Sequence, residues 1–343
     1  MLEASNLRDE RRDELIKRAF RQTDGSLIHV KSVGDVFDYE LQPQMGAVPF
    51  DSKMVPYVMH AGWAPHVRRY DGVIIATPAE LEPGAKEGLQ ALLGKPVYQI
   101  GPQFSEALWQ SPPSLCDSDQ LNEADQQTLS FLDDCYSRFG RNSVVYISFG
   151  TFYGMSSRPD LIELLLQTLL HSKRPFVYAV NKLKAHLSEK IKRQVENSNL
   201  AHMIDFSPQH HVLAHPATGW YLTHCGQSSV AEGILFGVPM VCWPCMTDQP
   251  ITALQLSVSF RLAFELVQVR TGDSEGQPTT RGVQHQNSTE AIIEELQTLW
   301  LKTQSKEGDA MRSRVLEMRD RIKESWATGF ARQEMNRFKS FMA

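Results

Sequence analysis

The sequence predicts an α/β protein whose main domain is a doubly wound parallel sheet. Two observations carry the prediction. From about residue 143 onward, short apolar runs alternate with longer amphipathic ones, the pattern of strands covered on both faces by crossover helices. Two of those apolar runs also end in a glycine turn, at Ser148-Phe149-Gly150 and Thr223-His224-Cys225-Gly226. In such sheets, ligands sit beyond the carboxyl ends of the strands.

The elements follow in order. Residues 71–104 read as strand, helix, strand, and the polar segment 104–120, with its Pro-Pro pair, reads as an interdomain linker. "SVVYISFG" (143–150) is a buried strand. A helix over 158–172 puts Leu161, Leu164, Leu165 and Leu169 on one face. Strands are expected at 175–180, 202–206, 219–224, 239–244 and 262–267, with helices at 187–198 and 229–237. Asn287 with Glu290 forms a capping-box-like start to the helix "STEAIIEELQTLWLK", and one long charged amphipathic helix closes the chain. No internal repeat or low-complexity tract interrupts this pattern.

Composition bounds the function. The chain has 343 residues, 42% hydrophobic and 22% charged, with a formal charge of −5. That balance gives a globular core and argues against a nucleic-acid or anionic-membrane partner. No apolar run reaches the ~18 residues of a membrane span. The charged N-terminus has no apolar signal-peptide core, so Asn287-Ser288-Thr289 is read as a chance sequon. Five irregularly spaced cysteines suggest no disulfide framework. The expected compartment is the cytoplasm.

The chemistry concentrates in "GWYLTHCGQSSVAEGILFG", residues 219–237. Gly226 lets backbone approach a ligand, and the following helix start offers unpaired N–H groups and a positive dipole end. With His224, Ser228 and Ser229 alongside, the turn can cradle a phosphate. A plainer reading stays open: Ser229-x-x-Glu232 is also a capping box, and His224 could be a core histidine. Cys242-Trp-Pro-Cys245 invites a redox reading, but Cys242 falls inside an apolar strand rather than at a helix start. A zinc site from His224, Cys225, Cys242 and Cys245 has ligand types without a readable second shell. His60 reads as structural or acceptor-lining.

The 44 residues from Phe206 to Gln249 closely resemble the signature box of the family 1 UDP-sugar glycosyltransferases. "VVYISFGT" is similar to the first strand and loop of that family's donor domain, and "IIATPAELEP" and "VYQIGP" to the end of its acceptor domain. The match covers nearly all of residues 71–326. It implies a GT-B architecture: a partial N-terminal acceptor domain (1–103), a linker (104–122), a complete UDP-sugar-binding domain (123–326) and a helical tail (327–343).

The resemblance also implies roles. Phe206, where tryptophan is usual, would stack on uracil. Gln209 and Glu232 would contact the ribose, and His224, Gly226, Ser229, Ser148 and Thr151 the diphosphate. Asp248 and Gln249 would bind the sugar hydroxyls. Ser228 and Gln227 stand where plant members usually carry asparagine and tryptophan, and both can still donate hydrogen bonds. No catalytic residue is assigned, because nothing before residue 71 resembles the glycine-histidine turn that carries the family's base. The activity implied is inverting transfer of a sugar, glucose or xylose foremost, to a small apolar hydroxylated acceptor such as a terpenoid, sterol, phenolic or lipid. The UDP-sugar is a co-substrate, and no metal or other cofactor is expected. Two alternatives remain: a non-catalytic UDP-sugar-binding subunit completed by a separate acceptor-domain chain, or an inactive remnant.

Overall fold

The computed structural model describes residues 23–44, 69–110, 121–150, 158–180 and 186–343. The first elements are an antiparallel hairpin of β1 (Leu27–Val30) and β2 (Gly34–Phe37), closed by a 3-10 turn at Asp38–Leu41. β3 (Val73–Ile75), α1 (Ala85–Leu93) and β4 (Val97–Gln99) follow as a unit with parallel strands, as the 71–104 pattern predicts. α2 (Glu106–Gln110) and α3 (Glu123–Phe139) lead into the main sheet.

That sheet alternates strand and helix throughout. Its elements are β5 (Val144–Ser148), α4 (Pro159–His171), β6 (Phe176–Ala179), α5 (Glu189–Glu196) and β7 (Ala201–Ile204). Then come α6 (Gln209–Ala214), β8 (Thr218–Thr223), α7 (Gln227–Leu235), β9 (Met240–Cys242), α8 (Gln249–Leu254) and β10 (Ala263–Glu265). The six strands run parallel in the order β10-β9-β8-β5-β6-β7. The chain builds outward from β5 in one direction and then from β8 in the other. The switch point therefore lies between β5 and β8, where both glycine turns leave the sheet.

Alternation along each strand divides the core. Val145, Ile147, Trp220, Leu222 and Val241 enter one buried cluster with the apolar faces of α4, α5 and α9 (Thr289–Lys302). Val144, Tyr146, Tyr221, Met240 and Cys242 enter the other, with α3, α6, α7 and α10 (Lys306–Ala327). Both faces of the sheet are thus covered, and each fully buried aliphatic side chain contributes roughly 1.5–3 kcal/mol.

Three expectations are corrected. Asn287 does not cap α9: Ser288 does, its Oγ accepting from Ala291 N at 3.2 Å, while Asn287 takes a left-handed φ of 47°. The closing helix is broken at Thr328-Gly329, and α11 (Phe330–Met342) turns back to pack on β4. There Tyr98 meets Phe338 and Phe341 at 5.5 and 5.7 Å, and the buried Glu334 accepts from Lys86 at 2.8 Å. Finally, the start of the expected linker is helical: Trp109 on α2 is buried and stacks on Trp326 at 5.2 Å.

The β1–β2 hairpin was not legible in the sequence. It is fixed by buried charge. Glu40 accepts from Thr280 N and Oγ1 at 3.0 and 2.9 Å and lies 3.5 Å from Arg270, which pairs with Glu265 at 3.0 Å. Arg281 takes the other Glu265 oxygen at 3.0 Å.

Candidate functional site

A cavity of about 450 Å³ opens at the switch point. Ser148 and Gly150 reach it from the end of β5, and His224, Gly226, Gln227, Ser228 and Ser229 from the turn after β8. Asp205, Phe206, Ser207 and Gln209 line it from the β7–α6 connection, Gln249 from the start of α8, and Tyr146 from below.

The histidine is wedged between two glycines. A Cβ on Gly150 would fall 2.7 Å from His224 Cε1, and one on Gly226 would fall 2.6 Å from its Nε2. Gly150 also needs its left-handed φ of 71°. Burial pushes the His224 imidazole below its ordinary pKa, against the opposing pull of the Asp248 carboxylate and the Ser148 backbone. The ring is therefore neutral at pH 7. Its Nδ1 is buried and has no partner among the described residues.

The helix start behind it is free of side-chain caps. Gly226 is the N-cap of α7 and no side chain bonds its first turn, so the Ser229-Glu232 capping box does not form. The first helical N–H groups have no intrahelical partners and carry the positive end of the dipole. Ser228 and Ser229 stand in that first turn, and Gln227 Nε2 is tied to Thr252 Oγ1 at 3.4 Å. An anion at this end of the cavity would meet backbone N–H groups, two hydroxyls and a neutral imidazole.

Glu232 faces away from the cap and toward α6. One of its oxygens accepts from Gln209 Nε2, and the other lies 3.6 Å from His210 Nε2. Two tyrosine hydroxyls converge on the opposite end of Gln209: Tyr146 donates to its Oε1 at 2.9 Å and Tyr221 at 3.3 Å. Phe206, 65% exposed at the cavity mouth, presents a free aromatic face. Gln249 is buried, with Oε1 accepting from Cys245 N at 3.0 Å and Met246 N at 3.2 Å. Its amide N–H groups are left as the donors.

The structure thus brings Ser148, Phe206, Gln209, His224, Gly226, Ser228, Ser229 and Gln249 onto one cavity, with Glu232 joined through Gln209. Asp248 stands exposed beside them, its Oδ1 accepting from Thr247 Oγ1 at 2.9 Å. Thr151 and His60 lie outside the described residues. Sequence reasoning missed Tyr146, Ser207 and Tyr221. Tyr146 lies two residues before Ser148 on the same strand face, the one signal that could have placed it at the cavity.

The competing motifs find no support. Cys225, Cys242 and Cys245 are buried, and burial raises the thiol pKa of Cys225 strongly and that of Cys245 to about 12. The Cys225 and Cys245 thiols therefore stay protonated and unreactive. No group of three or more His, Cys, Asp or Glu residues is placed to hold a metal ion among the described residues, and no described helix is long and apolar enough to cross a membrane.

The family model "UDP-glucoronosyl and UDP-glucosyl transferase" matches residues 116–277. UDP-glycosyltransferase eriJ of Hericium erinaceus is 29% identical over 258 residues, 72% of this chain and 48% of that protein. UDP-glycosyltransferase 76E4 of Arabidopsis thaliana is 30% identical over 270 residues, 76% of this chain and 52% of that protein. The chain therefore spans about half the length of these curated relatives. Among solved structures, a ugt transferase from Siraitia grosvenorii in complex with UDP superposes with a TM-score of 0.66 at 21% identity. That match covers 96% of this chain and 72% of the other. The six-stranded parallel sheet is that of a GT-B fold, and residues 116–277 carry the match to the UDP-glucuronosyl and UDP-glucosyl transferase family.

Proposed function

We propose that the switch-point cavity binds a UDP-sugar, and that the chain serves a transferase moving the sugar, with inversion, to a hydroxyl of a small apolar acceptor. The observation that carries this reading is the convergence on one cavity of an uncapped helix N-terminus, a glycine-wedged neutral histidine and a Gln209–Glu232 pair. Each suits one part of the nucleotide. Phe206 would stack on uracil, and Gln209 and Glu232 would take the ribose hydroxyls. The α7 start with His224, Ser148, Ser228 and Ser229 would take the diphosphate, with Thr151 added from the family resemblance. As the glycosidic bond breaks, charge builds on the diphosphate, and these donors stabilise it. Asp248 and Gln249 would meet the sugar, with glucose or xylose preferred.

We assign residues 123–326 to the donor half and residues 1–103 to part of the acceptor half, joined through 104–122, with 327–343 as the tail. No residue is assigned as the base. General-base catalysis is typically worth ~10²–10⁴ in rate, so the chain's turnover depends on where a base comes from. The compartment proposed is the cytoplasm, on the irregular spacing of the five cysteines. The test is to incubate the chain with UDP-glucose or UDP-xylose and a panel of phenolic and terpenoid alcohols, reading product mass and UDP release. Glycosylated product supports the enzyme reading. UDP-sugar binding without product supports the binding-subunit reading instead.

A further inference from the structure

Beneath the cavity, two buried tyrosines occupy facing positions of adjacent strands. Tyr146 on β5 and Tyr221 on β8 are register partners, and their rings stack at 5.0 Å. Both are fully buried. Phenylalanine would fill the same space without the cost of burying a hydroxyl. Here both hydroxyls are used, and on the same atom, Gln209 Oε1, at 2.9 and 3.3 Å. Tyr146 is steadied further by Ser207 Oγ at 2.5 Å.

We propose that Tyr146 and Tyr221 are positioning residues that lock the Gln209 amide in one orientation and, through it, hold Glu232 ready for the ribose. A primary amide can turn over about its last bond, exchanging donor for acceptor. The acceptor-only Glu232 carboxylate takes the NH₂, and the two hydroxyls anchor the carbonyl at the other end by donating to it. Turned over, the amide would set its carbonyl against the acceptor-only carboxylate, losing that bond, and both hydroxyls would have to give up their donation to the carbonyl. Burial also raises both phenol pKa values, that of Tyr221 to about 12. The hydroxyls therefore remain donors at any working pH. The preorganised pair spares the ligand the cost of ordering it.

This inference rests on the UDP-sugar reading of the cavity, and its test separates the two. UDP and 2′-deoxy-UDP are titrated calorimetrically into the full chain and into its Tyr146→Phe, Tyr221→Phe and double variants, with thermal unfolding recorded alongside. The rings remain in every variant, and the single variants carry the test should the double one fail to fold. Each lost hydroxyl is expected to weaken UDP by roughly three- to tenfold, while 2′-deoxy-UDP, lacking the hydroxyl that Glu232 would hold, changes by less than about twofold. A general loosening of the sheet would weaken both nucleotides equally. Equal losses, or variants that bind UDP like the parent chain, would overturn the lock and leave the UDP reading standing. A parent chain that does not bind UDP would remove both.

Discussion

His224 owes its position to what its neighbours lack. With Cβ atoms excluded at 2.7 and 2.6 Å on either side, a methyl group at residue 226 must push the imidazole out of the cavity. Gly226 has an ordinary φ of −63°, so alanine adds no backbone strain there, only the collision. We expect Gly226→Ala to weaken UDP binding by about 10- to 100-fold, the worth of a hydrogen bond to a charged group. Its melting temperature should change little; titration calorimetry with a parallel thermal melt checks both. The glycine, histidine and serines of this turn were legible because their types and spacing have few other uses. Tyr146 and Tyr221 were not, since a tyrosine at an apolar strand position reads as core until its hydroxyl partner is known.

Helix and strand ends decide the chemistry at the next scale. The strands and helices named over 143–302 were readable from periodicity, with boundaries moved by a residue or two, but the short helices α6 and α8 were not given ranges. Caps were not readable in the same way. Ser229 and Glu232 have the capping-box spacing, yet Gln209 draws the Glu232 carboxylate off toward α6. A tertiary hydrogen bond overrode a local one. A related case is Glu295 on α9, which accepts from Val267 N and Gln268 N at 2.8 and 2.9 Å just after β10. Burial raises its carboxyl to about 7, those two N–H bonds only partly opposing the rise. Its folded pKa thus exceeds the unfolded value of 4.5, so its stabilising contribution is full below about pH 4.5 and is lost as pH rises through 7. Between pH 5 and pH 8 the parent chain should lose roughly 2–3 kcal/mol relative to Glu295→Gln. Denaturant titrations of both proteins at the two pH values measure the difference. Parallel pH dependences would contradict the assignment.

Across the whole molecule, the switch point sets the site and distant contacts hold the parts together. Alternating strands and helices implied the doubly wound sheet. The strand order and the hairpin docked on residues 265–281 were beyond sequence reasoning, because they depend on pairs such as Glu40 and Arg270 that lie far apart in the chain. Arg270 is buried between Glu40 and Glu265. Removing it leaves two buried carboxylates without their shared cation. Arg270→Ala should therefore cost about 3–5 kcal/mol, seen as a lowered denaturation midpoint, while an exposed control such as Arg321→Ala should stay within about 0.5 kcal/mol.

Everything proposed here turns on the cavity between β5 and β8 being a formed nucleotide site. Calorimetric titration of the 343-residue chain with UDP, beside Glu232→Ala, tests it most directly. Saturable one-to-one binding to the parent chain is expected, weakened about tenfold or more when the carboxylate is removed. A folded parent chain that takes up no UDP, or one whose affinity is indifferent to Glu232, would contradict it.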